Sequence, residues 1–197
     1  RTEVYNKMKD QLPNIIKSAE DFACVLTHLS PEQRTEVYGI MKNKLPNMIK
    51  SAYDFAWVLT QLSPEQRTEV YKKMKGKLPN IIKSADDFTY VLEYLSPEQC
   101  TAVCTAMKDH LSTIITSAYD FRSVLEYLSP EQRTEVYGII KNKLPNIIKS
   151  AYDFACVLTH LSPEQRTEVY KAMKDHLPNI IKSGSDFSRV LYYLSPE

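Results

Sequence analysis

Apolar residues along this chain return at intervals of three and four, and no stretch alternates residue by residue. In "RTEVYGIMKNKL", Val37, Met41 and Leu45 stand four apart, the spacing that stacks side chains on one face of an α-helix. A second periodic stretch, "SAYDFAWVLTQL", carries Ala52, Phe55, Val58, Leu59 and Leu62 on one face. The whole pattern then repeats. "RTEVY" begins at residues 1, 34, 67, 133 and 166, with "CTAVC" at 100, and "LSPE" recurs at 29, 62, 95, 128, 161 and 194. A constant period of 33 residues without insertions marks a solenoid, in which each unit buries its apolar face against its neighbours. The predicted fold is therefore all-α, a right-handed α-solenoid of six 33-residue helical-hairpin repeats with no strands. Residues 1–197 read as a single repeat array: a partial unit 1–28, then units 29–61, 62–94, 95–127, 128–160 and 161–193, with 194–197 starting a further unit. Neither end shows the polar terminal unit that solenoids use as a cap, so the array is expected to continue in both directions.

Local punctuation defines two helices per unit. In "LSPEQ", Ser30 suits the N-cap, Pro31 the first helical position, and Gln33 completes a capping box; Glu32 favours the positive end of the helix dipole. In "SAYD", Ser51 and Asp54 give the same signal for a closing helix. Between them stands Pro46, which removes a backbone donor. The apolar phase carries through it, so both a kinked helix and a separate short helix fit, and Ser112 replaces the proline in one unit.

Counting the Leu of "LSPEQ" as position 1, Val, Leu, Ile, Phe, Val and Leu at positions 9, 17, 21, 27, 30 and 31 never change. These form the predicted core. Variation concentrates at positions 25, 28, 29 and 32 of the closing helix, which lie on one helical face opposite that core. The stripe contains Tyr53, Trp57, Asp86, Tyr90, Glu93, Tyr119, Arg122, Glu126, Tyr152, Arg189 and Tyr192. Tyr, Trp and Arg are enriched in binding hot spots, whereas a freely drifting surface fills with Lys, Glu and Ser. Lys at position 14 looks exposed and yet does not drift. Glu and Arg at positions 4, 6 and 8 recur every 33 residues and suggest ladders between units.

Composition narrows the function. A formal net charge of +1 argues against a nucleic-acid partner, which favours a basic face. No apolar run reaches the roughly 20 residues that span a bilayer, so no membrane insertion is expected. The four cysteines (Cys24, Cys100, Cys104, Cys156) are irregularly spaced, which fits a cytoplasmic setting better than a disulfide framework. Cys100 and Cys104 stand four apart, and Cys104 fills a slot that holds Tyr5, Tyr38, Tyr71, Tyr137 and Tyr170 elsewhere; they read as small buried thiols. His28 and His160 share one repeat position, His110 and His176 another, without an acid and nucleophile beside them. No glycine-rich phosphate loop exists. The expectation is no enzyme, no catalytic residue, no metal and no cofactor.

By period and paired helices the array resembles TPR-like α-solenoids, although it lacks their Trp, Gly and Ala positions. "LSPEQ" opening a 33-residue unit also resembles the repeats of TAL-type DNA-binding effectors. Those place a glycine-bearing base-reading loop where "VYNKMK" here continues a helix. The near-identical copies, such as 29–61 and 128–160, are similar in style to repeat regions of effector proteins that bacteria deliver into host cells, which implies a host protein partner in host cytosol. The expected function is a non-catalytic scaffold that binds a protein or extended peptide along the closing-helix stripe. The alternatives are a structural spacer within a longer protein and TAL-like nucleic-acid binding.

Overall fold

The structure, a computed structural model, describes residues 2–194; residues 195–197, most of the stretch expected to open a further unit, lie outside the described residues. It divides into two compact units, Arg1–Lys83 with Tyr90–Ser96, and Ser84–Thr89 with Pro97–Glu197. Among the described residues every regular element is helical, and each unit is a stack of repeated helices.

In the first unit, leading helices Thr2–Met8, Pro31–Met41 and Pro64–Met74 alternate with closing helices Ala19–Thr27 and Ala52–Thr60. In the second, leading helices Pro97–Ile114, Pro130–Ile140 and Pro163–Met173 alternate with closing helices Ala118–Glu126, Ala151–Leu158 and Gly184–Leu194. Helix Ala85–Leu92 runs from one unit into the other. The start signals act as written. Ser30, Ser63, Ser129 and Ser162 each accept from the backbone N–H three residues on, while the glutamine there answers with its side chain. Ser51 and Asp54 do the same for Ala52–Thr60, with the Asp54 N–H 3.0 Å from the serine hydroxyl. Such a cap contributes about 1 kcal/mol.

The proline breaks the helix instead of kinking it. After Met41 comes a tight turn in which Lys44 N–H bonds back three residues to the Met41 carbonyl. A separate single-turn helix, Leu45–Met48, then carries Pro46 in its first turn. The same element appears as Leu12–Ile15, Leu78–Ile81, Leu144–Ile147 and Leu177–Ile180. Where Ser112 stands in place of proline, the leading helix runs without interruption for 18 residues, Pro97–Ile114. The restored N–H is the physical difference.

Packing follows the period. Within each unit, single-turn helices lie against the next leading helix (Leu45–Met48 on Pro64–Met74, Leu144–Ile147 on Pro163–Met173), and closing helices lie against the next (Ala19–Thr27 on Ala52–Thr60, Ala118–Glu126 on Ala151–Leu158). The core lies at those junctions: Phe22, Phe55, Phe88, Phe121 and Phe154 are fully buried. The sixth copy, Phe187, is 54% exposed and departs from the predicted core.

Polar pairs tie neighbouring repeats together in a register that the sequence reading did not resolve. The Tyr5 hydroxyl donates to Glu36 at 2.8 Å, Tyr38 to Glu69 at 2.9 Å and Tyr137 to Glu168 at 2.9 Å, each across 31 residues. Lys9, Lys42 and Lys108 pair with Glu36, Glu69 and Glu135 at 2.9, 3.3 and 2.8 Å. These three lysines all stand at position 14. Lys44 and Lys77 donate to the carbonyls of Pro13 and Pro46 at 3.0 Å, and Lys143 donates to that of Ser112. Lys73 donates at 3.2 Å to the Lys42 carbonyl, the acceptor that Pro46 cannot satisfy. Among the described residues no ladder of the recurring arginine is seen. Arg67 instead donates to the Leu59 and Leu62 carbonyls at 2.9 and 3.0 Å, closing the C-terminus of helix Ala52–Thr60. Arg166 does the same at Leu158 and Leu161.

Candidate functional site: an aromatic and arginine stripe on the closing helices

The stripe is built by closing helices that project the same repeat positions toward solvent. Its outer rows are open. Tyr53 is 56% exposed, Tyr119 58% and Tyr152 51%, and Asp86, Glu93, Glu126 and Tyr192 are exposed as well. Position 28 is closed where it holds alanine: Ala23, Ala56 and Ala155 are buried in the contact between successive closing helices. The expectation of one free face opposite the core is corrected there. A helix inside a stack has neighbours on both flanks, so the exposed strip is narrower than amphipathicity alone suggests. Cys156, at position 29, is likewise buried.

In the first unit, Trp57 is half-buried and packs against Tyr53, with ring centroids 5.4 Å apart and planes tilted by 54°. Such a pair contributes about 0.5–1.5 kcal/mol beyond area burial and fixes the orientation of an exposed aromatic surface. Tyr90 is exposed in the same unit, and Arg67 lies 5.6 Å from the ring centre of Tyr94.

The second unit holds a denser cluster. The Arg189 guanidinium sits 5.4 Å from the centre of the Tyr152 ring, a cation–π distance. Arg122, half-buried, reaches the same place: a hydrogen bond with Cys156 and the nearby Tyr152 and Glu126 raise its pKa. The Tyr152 hydroxyl is also raised, first by its bond with Cys156, against the opposing charges of Arg122 and Arg189. His160 is half-buried beside this cluster. Burial first, then the Arg133 and Arg122 charges, push its pKa down and favour the neutral ring. The cluster links Arg122, Tyr152, Cys156 and Arg189 from three successive repeats. A separation of 34 residues between Arg122 and Cys156, and 37 between Tyr152 and Arg189, was the available signal, one and four residues off the repeat period. The arrangement presents flat rings flanked by guanidinium groups, with carboxylates at the margin.

Elsewhere the chemistry is quiet. Cys104 is buried and its thiol is pushed up to about 11, chiefly by desolvation, so the reactive thiolate is disfavoured at neutral pH. No cluster of three or more potential metal ligands occurs among the described residues. No helix among them is long and apolar enough to cross a membrane.

No protein-family model matches the sequence, and no curated protein matches it. Solved structures do. A Puf3 RNA-binding domain bound to the Cox17 RNA 3′ UTR recognition sequence site B superposes with a TM-score of 0.67 at 14% identity, over 94% of this chain and 59% of that one. The same domain bound to site A gives a TM-score of 0.66 at 14% identity, over 97% of this chain and 64% of that one. The chain therefore spans less than two thirds of the length of either match. At this identity the likeness establishes a shared helical-repeat fold.

It also overturns one sequence-based expectation. Near-neutral charge was held to argue against nucleic acid as a partner. Both matches are RNA-bound domains of this fold, so a neutral sum cannot carry that exclusion. The physical reason is that net charge averages the whole surface, whereas single strands are also held by base stacking on aromatic and guanidinium planes. The likeness supports an all-helical repeat array and lends no support to an effector-type origin.

Proposed function

We propose that this chain is a non-catalytic helical-repeat scaffold that binds single-stranded RNA along the closing-helix stripe. The observation that carries this reading is the match, over nearly the whole chain, to repeat domains solved with RNA. The repeat units 29–61, 62–94, 95–127, 128–160 and 161–193 act as successive modules of one array. Tyr53, Trp57, Tyr90, Tyr119 and Tyr152 supply stacking faces, with Tyr192 extending the row. Arg122 and Arg189 add planar cations, and Asp86, Glu93 and Glu126 accept hydrogen bonds from exocyclic amino groups on base edges.

The test is selection from a randomised single-stranded RNA pool, followed by fluorescence anisotropy with the enriched sequences. The expected result is convergence on a short motif whose binding falls at least tenfold when Tyr53, Trp57, Tyr119 and Tyr152 are all replaced by Ala. A pool that emerges unenriched would refute the proposal. A protein or extended peptide on the same stripe is the second reading, favoured by the exposed carboxylates of Asp86, Glu93 and Glu126, which repel phosphates. A pure spacer would be indifferent to all of these substitutions.

A further inference from the structure

Charge is segregated within the first unit. Segments 39–50 and 72–83 carry eight lysines and no acidic residue, arginine or aromatic side chain. Each runs from the end of a leading helix to the start of the closing helix, and both lie inside the array with repeats on either side. Hydrogen bonds set them along one edge. Lys77 donates to the Pro46 carbonyl at 3.0 Å and Lys73 to the Asn43 amide oxygen at 2.9 Å, so the turn of one repeat lies on the turn of the repeat before it. Lys44, Lys50, Lys72, Lys75 and Lys77 are exposed, and among the described residues none of the five forms an ion pair. The nearby carboxylates are engaged already. Glu69 faces Lys42 and Lys73 at 3.3 and 3.9 Å, and Asp54 accepts from the Lys50 and Ser51 N–H groups at 2.9 and 3.1 Å. Aliphatic side chains share the edge: Ile40 is 40% exposed, and Met48 and Ile81 are half-buried on the single-turn helices.

We infer that this lysine-rich edge of the first unit docks the chain on an anionic lipid surface. Lysine is a compact, hydrated point charge, suited to a diffuse field of headgroup charges that asks for no planar pairing. Its apolar stem can lie along the interface while the ammonium stays in water, and exposed aliphatics beside it enter the boundary between headgroups and acyl chains. The guanidinium and aromatic planes that hold unpaired bases are missing from both segments and stand instead on the closing-helix stripe. That division of residue types selects lipid over RNA for this edge. A net charge of +1 conceals the edge because carboxylates such as Glu32 and Glu65 stand at the opposite ends of the leading helices. The attraction acts within a Debye length of the surface, and each lysine adds to it.

Co-sedimentation of the RNA-free chain with vesicles tests this, with phosphatidylcholine alone in one arm and phosphatidylserine added in the other. The expected result is capture by the phosphatidylserine vesicles only, strong at an ionic strength of about 0.01 M and lost at about 1 M. Replacing Lys50, Lys72 and Lys75 together by Gln should weaken capture roughly tenfold or more with unchanged circular dichroism. Ile40→Ser should weaken it at every salt concentration. Because the vesicle arms hold no RNA, their outcome is independent of the RNA reading. A chain that stays in solution with both vesicles, equal capture by phosphatidylcholine alone, or undiminished capture of the triple variant would each overturn the inference. So would a parallel loss of RNA affinity in the triple variant, which would assign these lysines to nucleic acid.

Discussion

Tyr38 shows how a single residue does more here than its letter conveys. Its ring is buried and its hydroxyl donates to Glu69 on the next repeat. Burial first, then that bond and the carboxylate charge, raise its pKa above the usual value of about 10; Tyr5 is raised in the same way to about 12. A raised folded-state value means that the native state holds the proton more tightly, so the associated stability is complete below about pH 10 and is lost as pH climbs through the folded values. Glu36 and Glu69 are lowered, Glu36 by Lys9 and Tyr5, Glu69 by Tyr38. Their contribution is present above the usual carboxylate range and is lost on acidification through the lowered values. The melting temperature should therefore form a plateau that falls at both extremes. Tyr38→Phe should lower the plateau and make the alkaline fall shallower than in the native chain. Circular dichroism melts at closely spaced pH values check this; identical alkaline slopes would show that the pair does not couple to folding.

At the scale of elements, the contrast between Pro46 and Ser112 is an experiment that the chain has already performed. Ser112→Pro should split helix Pro97–Ile114 into a leading helix and a single turn at a cost below about 1 kcal/mol, since the other repeats accommodate this break. Ala106→Pro, in the exposed middle of the same helix, should cost about 3 kcal/mol or more. Urea titration gives the stabilities, and hydrogen exchange locates the break; equal costs would contradict the account. The helices, their capping boxes and most of the phenylalanine core were legible because they are written locally, in Ser, Pro, Gln, Asp and spaced apolar residues. The break at Pro46 was not, because apolar phase persists on both sides and only the missing N–H decides. The burial of Ala23, Ala56 and Ala155 was hidden for a different reason: one helix viewed alone does not reveal that both of its flanks meet neighbours. The stripe's aromatic rows were therefore legible, while its width and the Arg122–Tyr152–Arg189 cluster depended on how one repeat lies on the next.

At the scale of the whole molecule, 25 basic against 24 acidic side chains leave little general attraction for a polyanion. RNA binding by such a surface must draw its strength from stacking. Each base stacked on an aromatic side chain is worth about 1–3 kcal/mol, whereas phosphate contacts enter as a salt slope of about −0.7 per contact on single strands. With Arg122 and Arg189 as the stripe's cations, the plot of log affinity against log salt should have a slope of about −1.4. Tyr152→Ala should weaken binding roughly 5–150-fold while leaving that slope unchanged. Arg189→Gln should flatten the slope by about 0.7 and also loosen the Tyr152 ring it covers. Anisotropy titrations at four or five salt concentrations separate the two effects. A slope steeper than about −5 would mean that RNA is held by basic residues spread beyond the stripe, and the aromatic rows would then lose their part in recognition.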